Sequence, residues 1–111
     1  MKTYVFDIDG TICKKLCELN GEDYMDAEPM TSRIDKVNKL YEEGNTIIYQ
    51  TARGMGRYDN NPAKAIQEFY AKTERQLASW SAKYHLLVLG KPAADFYVDD
   101  KGVNDEDFFT N

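Results

Sequence analysis

The chain has 111 residues, a formal net charge of −5 and a sequence pI near 4.8. That length supports one hydrophobic core and not a second beside it, so a single domain over residues 1–111 is expected. The acidic balance argues against bulk attraction to nucleic acid or an anionic membrane, and no stretch reads as a membrane span or a signal peptide. Cys13 and Cys17 are too few for a cysteine-rich metal site and read as free thiols in a reducing, cytoplasmic setting.

The first predicted element is a strand in "YVFDIDGTI", residues 4–12. Tyr4, Val5 and Phe6 read as a run buried on both sides, and the run ends in Asp7 and Asp9, which point the same way if strand geometry continues. Two carboxylates crowded at the end of a buried strand call for a counter-charge, and a hard divalent cation such as Mg²⁺ supplies one. An EF-hand register over Asp7, Asp9 and Glu18 fails, because its sixth position is Ile12 instead of glycine and a strand precedes it.

Residues 13–30 sustain no period and read as a loop or short flap, with Lys14 and Lys15 near its start. From Thr31, where Thr31 or Ser32 can cap, Ile34, Val37, Leu40 and Tyr41 share one helical face before Gly44 ends the pattern. "TIIYQT", residues 46–51, reads as a strand. A glycine-rich loop, residues 52–61, leads into a helix begun by Asn61 and Pro62 and ending near Ser81, with Ile66, Phe69, Tyr70, Thr73, Leu77 and Trp80 at helical spacing. "HLLVL", residues 85–89, and "DFYVD", residues 95–99, read as two further strands, the second leading into Asp99 and Asp100. His85 at a strand start reads as structural. The tail "NDEDFFTN" reads as too short for a helix of its own, its two phenylalanines free to dock on the core or on a second subunit. The alternation predicts an α/β, three-layer Rossmann-like fold with a mostly parallel sheet.

Ligands of such sheets gather outside the carboxyl ends of the strands, where Asp7 with Asp9, Thr51, Lys91, and Asp99 with Asp100 all fall. Each alone has a bland reading as turn, strand end, solvated lysine or helix cap; together they make a site. "DIDGT" after an apolar strand, the threonine ending "TIIYQT", "GKP" and "VDD" resemble, in order, the four motifs of the haloacid dehalogenase-like (HAD-like) phosphohydrolases. "TARG" followed by a long helix with a tryptophan, then "DD" and a basic residue, is also similar to the phosphatase domain of phage polynucleotide kinase.

The resemblance implies Asp7 as a nucleophile forming an aspartyl phosphate, Asp9 as general acid and then base, Thr51 holding a phosphoryl oxygen and Lys91 offsetting charge. It implies Mg²⁺ held by Asp7, the Asp9 carbonyl and Asp99 or Asp100, with Asp99 favoured as the direct ligand, and it sets Gly10, Ala52 and Arg53 beside the substrate. Arg53, Arg57, Lys14 and Lys15 are candidates to read the substrate, with solvated loop charges as the alternative. Neither gap between motifs has room for a cap domain, so an open site, covered by the flap, a large substrate or a second subunit, is expected. The expected substrate is a small phosphorylated metabolite, a sugar phosphate first among them. A nucleotide or polynucleotide 3′-phosphate is the runner-up, nucleic acid otherwise being an unfavoured partner, and a noncatalytic phospho-ligand or partner-binding domain is the alternative of another class. Self-association is expected by analogy with other capless domains.

Overall fold

Alternation along three short strands decides which face of the sheet becomes core. A computed structural model describes residues 1–14 and 24–110. Its strands β1 (Thr3–Phe6), β2 (Thr46–Thr51) and β3 (Leu86–Leu89) are parallel in the order β1-β2-β3. Thr3 lies level with Thr46 and Ile48 with Leu86, so Tyr4, Phe6, Ile47, Tyr49, Leu87 and Leu89 share one face. Helices α1 (Thr31–Glu42) and α2 (Pro62–Ser79) are the two crossovers between these strands, and Ile34, Val37, Phe69 and Leu77 join the same core cluster. Two right-handed crossovers progressing in one direction across a sheet put both helices on one side. Each fully buried Leu, Ile or Phe there contributes about 1.5–3 kcal/mol.

The opposite face carries Val5, Ile48, Leu86 and Val88, of which Val5 is 57% and Leu86 51% exposed. The parallel α/β fold without a separate cap domain is as expected, and the described helices cover one face of it.

Local signals hold with small differences. Asn61 accepts a hydrogen bond from the Lys64 amide at 3.3 Å, and Pro62 is the first helical residue of α2, which ends at Ser79. At α1 the N-cap is Met30, so neither Thr31 nor Ser32 caps. Lys15, Cys17, Glu18 and most of the predicted flap lie outside the described residues; within it, Tyr24–Asp26 form a 3₁₀ turn tied to α2 by Gln76, whose amide donates to the Tyr24 carbonyl at 2.7 Å. His85 stacks on Tyr41, with ring centroids 4.6 Å apart, and its Nδ1 accepts from the Ile47 amide, a structural role.

Three expectations are corrected. The run Tyr4–Val5–Phe6 is buried on one side only, since the described helices cover one face of the sheet and Val5 faces the other. The tail does form a helix, α3 (Asp105–Phe109), because Asn104 caps it and its two phenylalanines pack on Phe6. The strand expected at residues 95–99 is not formed: Phe96 is 85% and Val98 93% exposed. The reason is the connection. Parallel strands need a crossover of roughly a dozen residues, and only Lys91, Pro92, Ala93 and Ala94 separate Gly90, just past β3, from Asp95.

Candidate active site

Three chain segments deliver polar groups to the carboxyl edge of the sheet. Asp7 follows the last residue of β1, Thr51 ends β2, and Lys91 stands just beyond β3. The Lys91 amide donates to the Thr51 carbonyl at 3.3 Å, which fixes the third segment to the second. Lys91 Nζ lies 3.8 Å from Asp7 Oδ1 and sits over the Tyr97 ring, 4.3 Å from its centroid. Both partners remain partly open, with side-chain exposures of 21% for Lys91 and 35% for Asp7. An incoming anion can therefore reach the pair.

Beyond Asp7 the chain turns tightly. The Thr11 and Ile12 amides both donate to the Ile8 carbonyl, while the Gly10 amide donates to the Cys13 carbonyl at 2.8 Å. Gly10 has φ +84°, a left-handed conformation that glycine adopts without strain. Ile8 and Ile12 are fully buried and pin the turn, leaving Asp7 and Asp9 at its rim.

Asp9 is held by a buried arginine. Arg53 Nε donates to Asp9 Oδ2 at 2.9 Å and its Nη2 to Oδ1 at 3.0 Å, a two-pronged pair. The Arg53 side chain is fully buried: its Nη1 donates to Thr73 Oγ1 at 3.3 Å, and its guanidinium lies over the Tyr24 ring at 4.9 Å. The Arg53 amide in turn donates to Thr51 Oγ1 at 3.1 Å. Cys13 Sγ donates to Asp9 Oδ1 at 3.5 Å, and burial, then the neighbouring carboxylate, pushes its pKa from 9.0 up to about 12. Cys13 is thus a hydrogen-bonded thiol and not a nucleophile.

The loop after Thr51 needs its glycine. Gly54 has φ +81°, and a Cβ there would meet Phe69 ring carbons at 2.6 and 2.8 Å. This close approach lets Ala52 and Arg53 fold back under the sheet edge.

The remaining predicted groups do not converge on the site. Asp99 Oδ1 accepts from the Lys101 amide at 2.8 Å and the Gly102 amide at 2.5 Å, closing a local turn. Asp100 pairs with Lys101 at 3.2 Å, both largely exposed. Among the described residues no group of three or more His, Cys, Asp or Glu side chains is placed to hold a metal ion. Arg57 is engaged by Glu68 at 2.9 Å and Lys14 by Glu28 at 3.2 Å. Sequence reasoning missed Thr73 and Tyr24 as the supports of Arg53. A polar Thr73 on the apolar stripe of α2 was the available signal.

No family model and no curated protein matches the chain. Among solved structures, it is similar to a target protein from Vibrio cholerae, at 27% identity and TM-score 0.86, over 100% of this chain and 89% of that one. It is also similar to D,D-heptose 1,7-bisphosphate phosphatase from B. bronchiseptica, complexed with magnesium and phosphate, at 14% identity and TM-score 0.57, over 86% of this chain and 52% of that one. A chain of the Pnkp1/Rnl/Hen1 RNA repair complex matches at 18% identity and TM-score 0.59, over 98% of this chain and 30% of that one. Against these last two, the chain corresponds to about half and about a third of the longer molecules.

Proposed function

From a chain with the haloacid dehalogenase-like fold, which the solved structures share and the four motifs resemble, we propose a phosphatase that attacks a phosphomonoester with Asp7. The observation that carries this reading is the meeting of Asp7 and Lys91 from the ends of β1 and β3, with Lys91 Nζ 3.8 Å from the Asp7 carboxylate. A carboxylate is a weak nucleophile. It suffices for phosphoryl transfer, where the protein's task is to position the group and neutralise its spread charge.

In the proposed reaction an Asp7 oxygen bonds to phosphorus as the ester P–O bond breaks, giving an aspartyl phosphate and an alkoxide that takes a proton. Water then attacks phosphorus, releasing phosphate and restoring Asp7. Lys91 offsets the negative charge gathered at Asp7 and the phosphoryl group. Asp9 is the proton donor and later the base, a role that requires it to release one of its two contacts with Arg53 when substrate arrives. Arg53, buried and committed to Asp9, positions that carboxylate and does not reach the substrate in the described conformation. This revises the expectation that it reads the substrate directly.

The relative bound to magnesium and phosphate supports Mg²⁺ as the cofactor. Among the described residues the donor set does not complete such a site, since Asp99 and Asp100, which would join Asp7 and the Asp9 carbonyl there, are turned to their own neighbours.

A small phosphorylated metabolite, such as a sugar phosphate, is the favoured substrate. Arg53, Arg57 and Lys14 are each paired with an acid, so these three offer no uncompensated basic track for a polynucleotide backbone. The deciding experiment is hydrolysis of an aryl phosphate with Mg²⁺, with EDTA, and by Asp7→Asn, followed by a panel of sugar phosphates and a 3′-phosphorylated oligonucleotide. Turnover that needs both Asp7 and the metal is expected. Turnover unchanged in D7N removes Asp7 as nucleophile, and preference for the oligonucleotide transfers the substrate to the runner-up.

A further inference from the structure

Residues 95–99 have the composition of a strand and no strand to join, while β1 is an edge strand of the described sheet. Among the described residues β1 pairs with β2 alone, so its outer edge is open. The segment between Gly90 and Asn104 leaves the body as an arm that exposes Phe96 at 85%, Tyr97 at 53%, Val98 at 93% and Val103 at 65%. Exposed apolar groups this concentrated mark a contact surface.

The arm's own sheet cannot take it. To lie parallel beside β1, Asp95 must stand near the amino end of β1, while Gly90 stands at the carboxyl end of β3. That means crossing three strand spacings of about 4.8 Å and descending about 20 Å, roughly 24 Å in a straight line through the packed sheet. Gly90 to Asp95 spans at most about 18 Å fully extended, before any detour around the sheet. An antiparallel place beside β3 is within reach but runs Asp99 toward the amino end of the sheet, away from Asp7.

We propose that the arm and α3 exchange between two copies of this chain, so that residues 95–99 of each add as a fourth parallel strand to the outer edge of the other's β1. Gly90, at φ +97°, and the short Lys91–Ala94 connection form the hinge. The alternation fits without adjustment. Asp7 lies on the Val5 face of β1, so Asp99 placed level with it on that face puts Tyr97 beside Val5 and puts Phe96 and Val98 on the core face beside Tyr4 and Phe6. The two most exposed side chains of the arm become the two buried ones. Helix α3 makes its contacts on the second copy just as it makes them on its own: Asp105 to Arg33 at 2.7 Å and Phe108 on Phe6. The symmetry is twofold and closes at a dimer. Each active site then draws Asp7, Thr51 and Lys91 from one copy and an acid, Asp99 or Asp100, from the other. This composite site rests on the phosphatase reading above; the exchange itself does not.

The test combines mass and complementation. Light scattering on the full chain should give a dimer, and F96D/V98D, which alters side chains exposed in the single chain, should give a folded monomer with at least a tenfold loss of aryl phosphatase activity. Asp7→Asn and Asp99→Asn should each be inactive alone, yet when they are co-expressed and purified together random pairing restores about a quarter of wild-type activity, one intact site in each hybrid dimer. A monomeric wild type, or a dimer that survives F96D/V98D, overturns the exchange. An active dimer whose two inactive variants never complement overturns the composite site. A wild type inactive on aryl phosphate removes the phosphatase reading, and the mass comparison still decides the exchange.

Discussion

The two carboxylate segments of this chain sit in opposite surroundings. Asp9 is clamped by a fully buried arginine that is itself held by Thr73 and Tyr24, whereas Asp99 and Asp100 lie on an exposed arm and bond to their immediate neighbours. The difference is one of connection length. The connections through α1 and α2 are long enough for right-handed crossovers, and among the described residues Asp9, Thr51 and Arg53 find their partners within the chain. The connection after β3 is too short, and the strand-forming residues beyond it are left without a sheet. Chemistry prepared by the first region is finished, in our reading, by the second region of another copy.

The sharpest separation of the two regions is at Asp7. Asp7→Asn is isosteric and should leave fold and dimer mass unchanged while lowering turnover at least about a thousandfold, because the attacking oxygen is lost. Circular dichroism, light scattering and aryl phosphate hydrolysis on one preparation check this. If the same variant also falls apart into monomers, site and assembly are not separable.

Arg53→Met comes next. It leaves Asp9 without its partner beside a fully buried position, and breaking such a pair costs about 3 kcal/mol. Urea unfolding should show that loss, and the dimer mass should be retained because the arm is untouched. A stability within experimental error of wild type would mean that water replaces the guanidinium and that the clamp is not structural.

Much of this was legible in the sequence, and the failures are instructive. The strands and helices followed from alternation, β-branched runs, Gly44 and the Asn61-Pro62 start. Asp7 and Lys91 stand together because parallel topology brings strand ends to one edge. Residues 95–99 misled because local pattern reports strand propensity and not whether a slot can be reached. Counting the residues between Gly90 and Asp95 exposes the conflict. Arg53 was hidden for another reason: a loop arginine looks solvated until Gly54 lets the loop fold against Phe69 and draws the guanidinium inside.

That account predicts a third effect at Gly54. Gly54→Ala adds a Cβ where Phe69 ring carbons stand at 2.6 and 2.8 Å, at a φ of +81°. The combined strain should cost about 2 kcal/mol. It should also lower activity, since the loop that seats Arg53 must shift; parallel measurement of the urea midpoint and turnover tests both. An unaltered midpoint would show that Phe69 yields freely and that the close approach is not what folds the loop inward.

The smallest effect concerns Cys13, and its sign is fixed by the direction of its shift. In the unfolded chain the thiol ionises near 9.0, whereas in the folded chain burial and Asp9 raise this to about 12. Folding therefore favours the protonated form. The unfolded state sheds that proton first, so the stability the thiol contributes is intact below about pH 9 and declines as pH rises toward 12. Cys13→Ala removes this component, and its stability should fall less steeply than that of wild type between about pH 9 and 11, while the two curves run parallel from about pH 7 to 8. Tyr49, raised in the same direction by burial, supplies a residual slope to both proteins. Urea midpoints across that range decide the matter. Equal slopes above pH 9 would mean that Cys13 ionises in the folded chain as readily as in the unfolded one, and the turn carrying Asp9 would then be open to water instead of packed against the core.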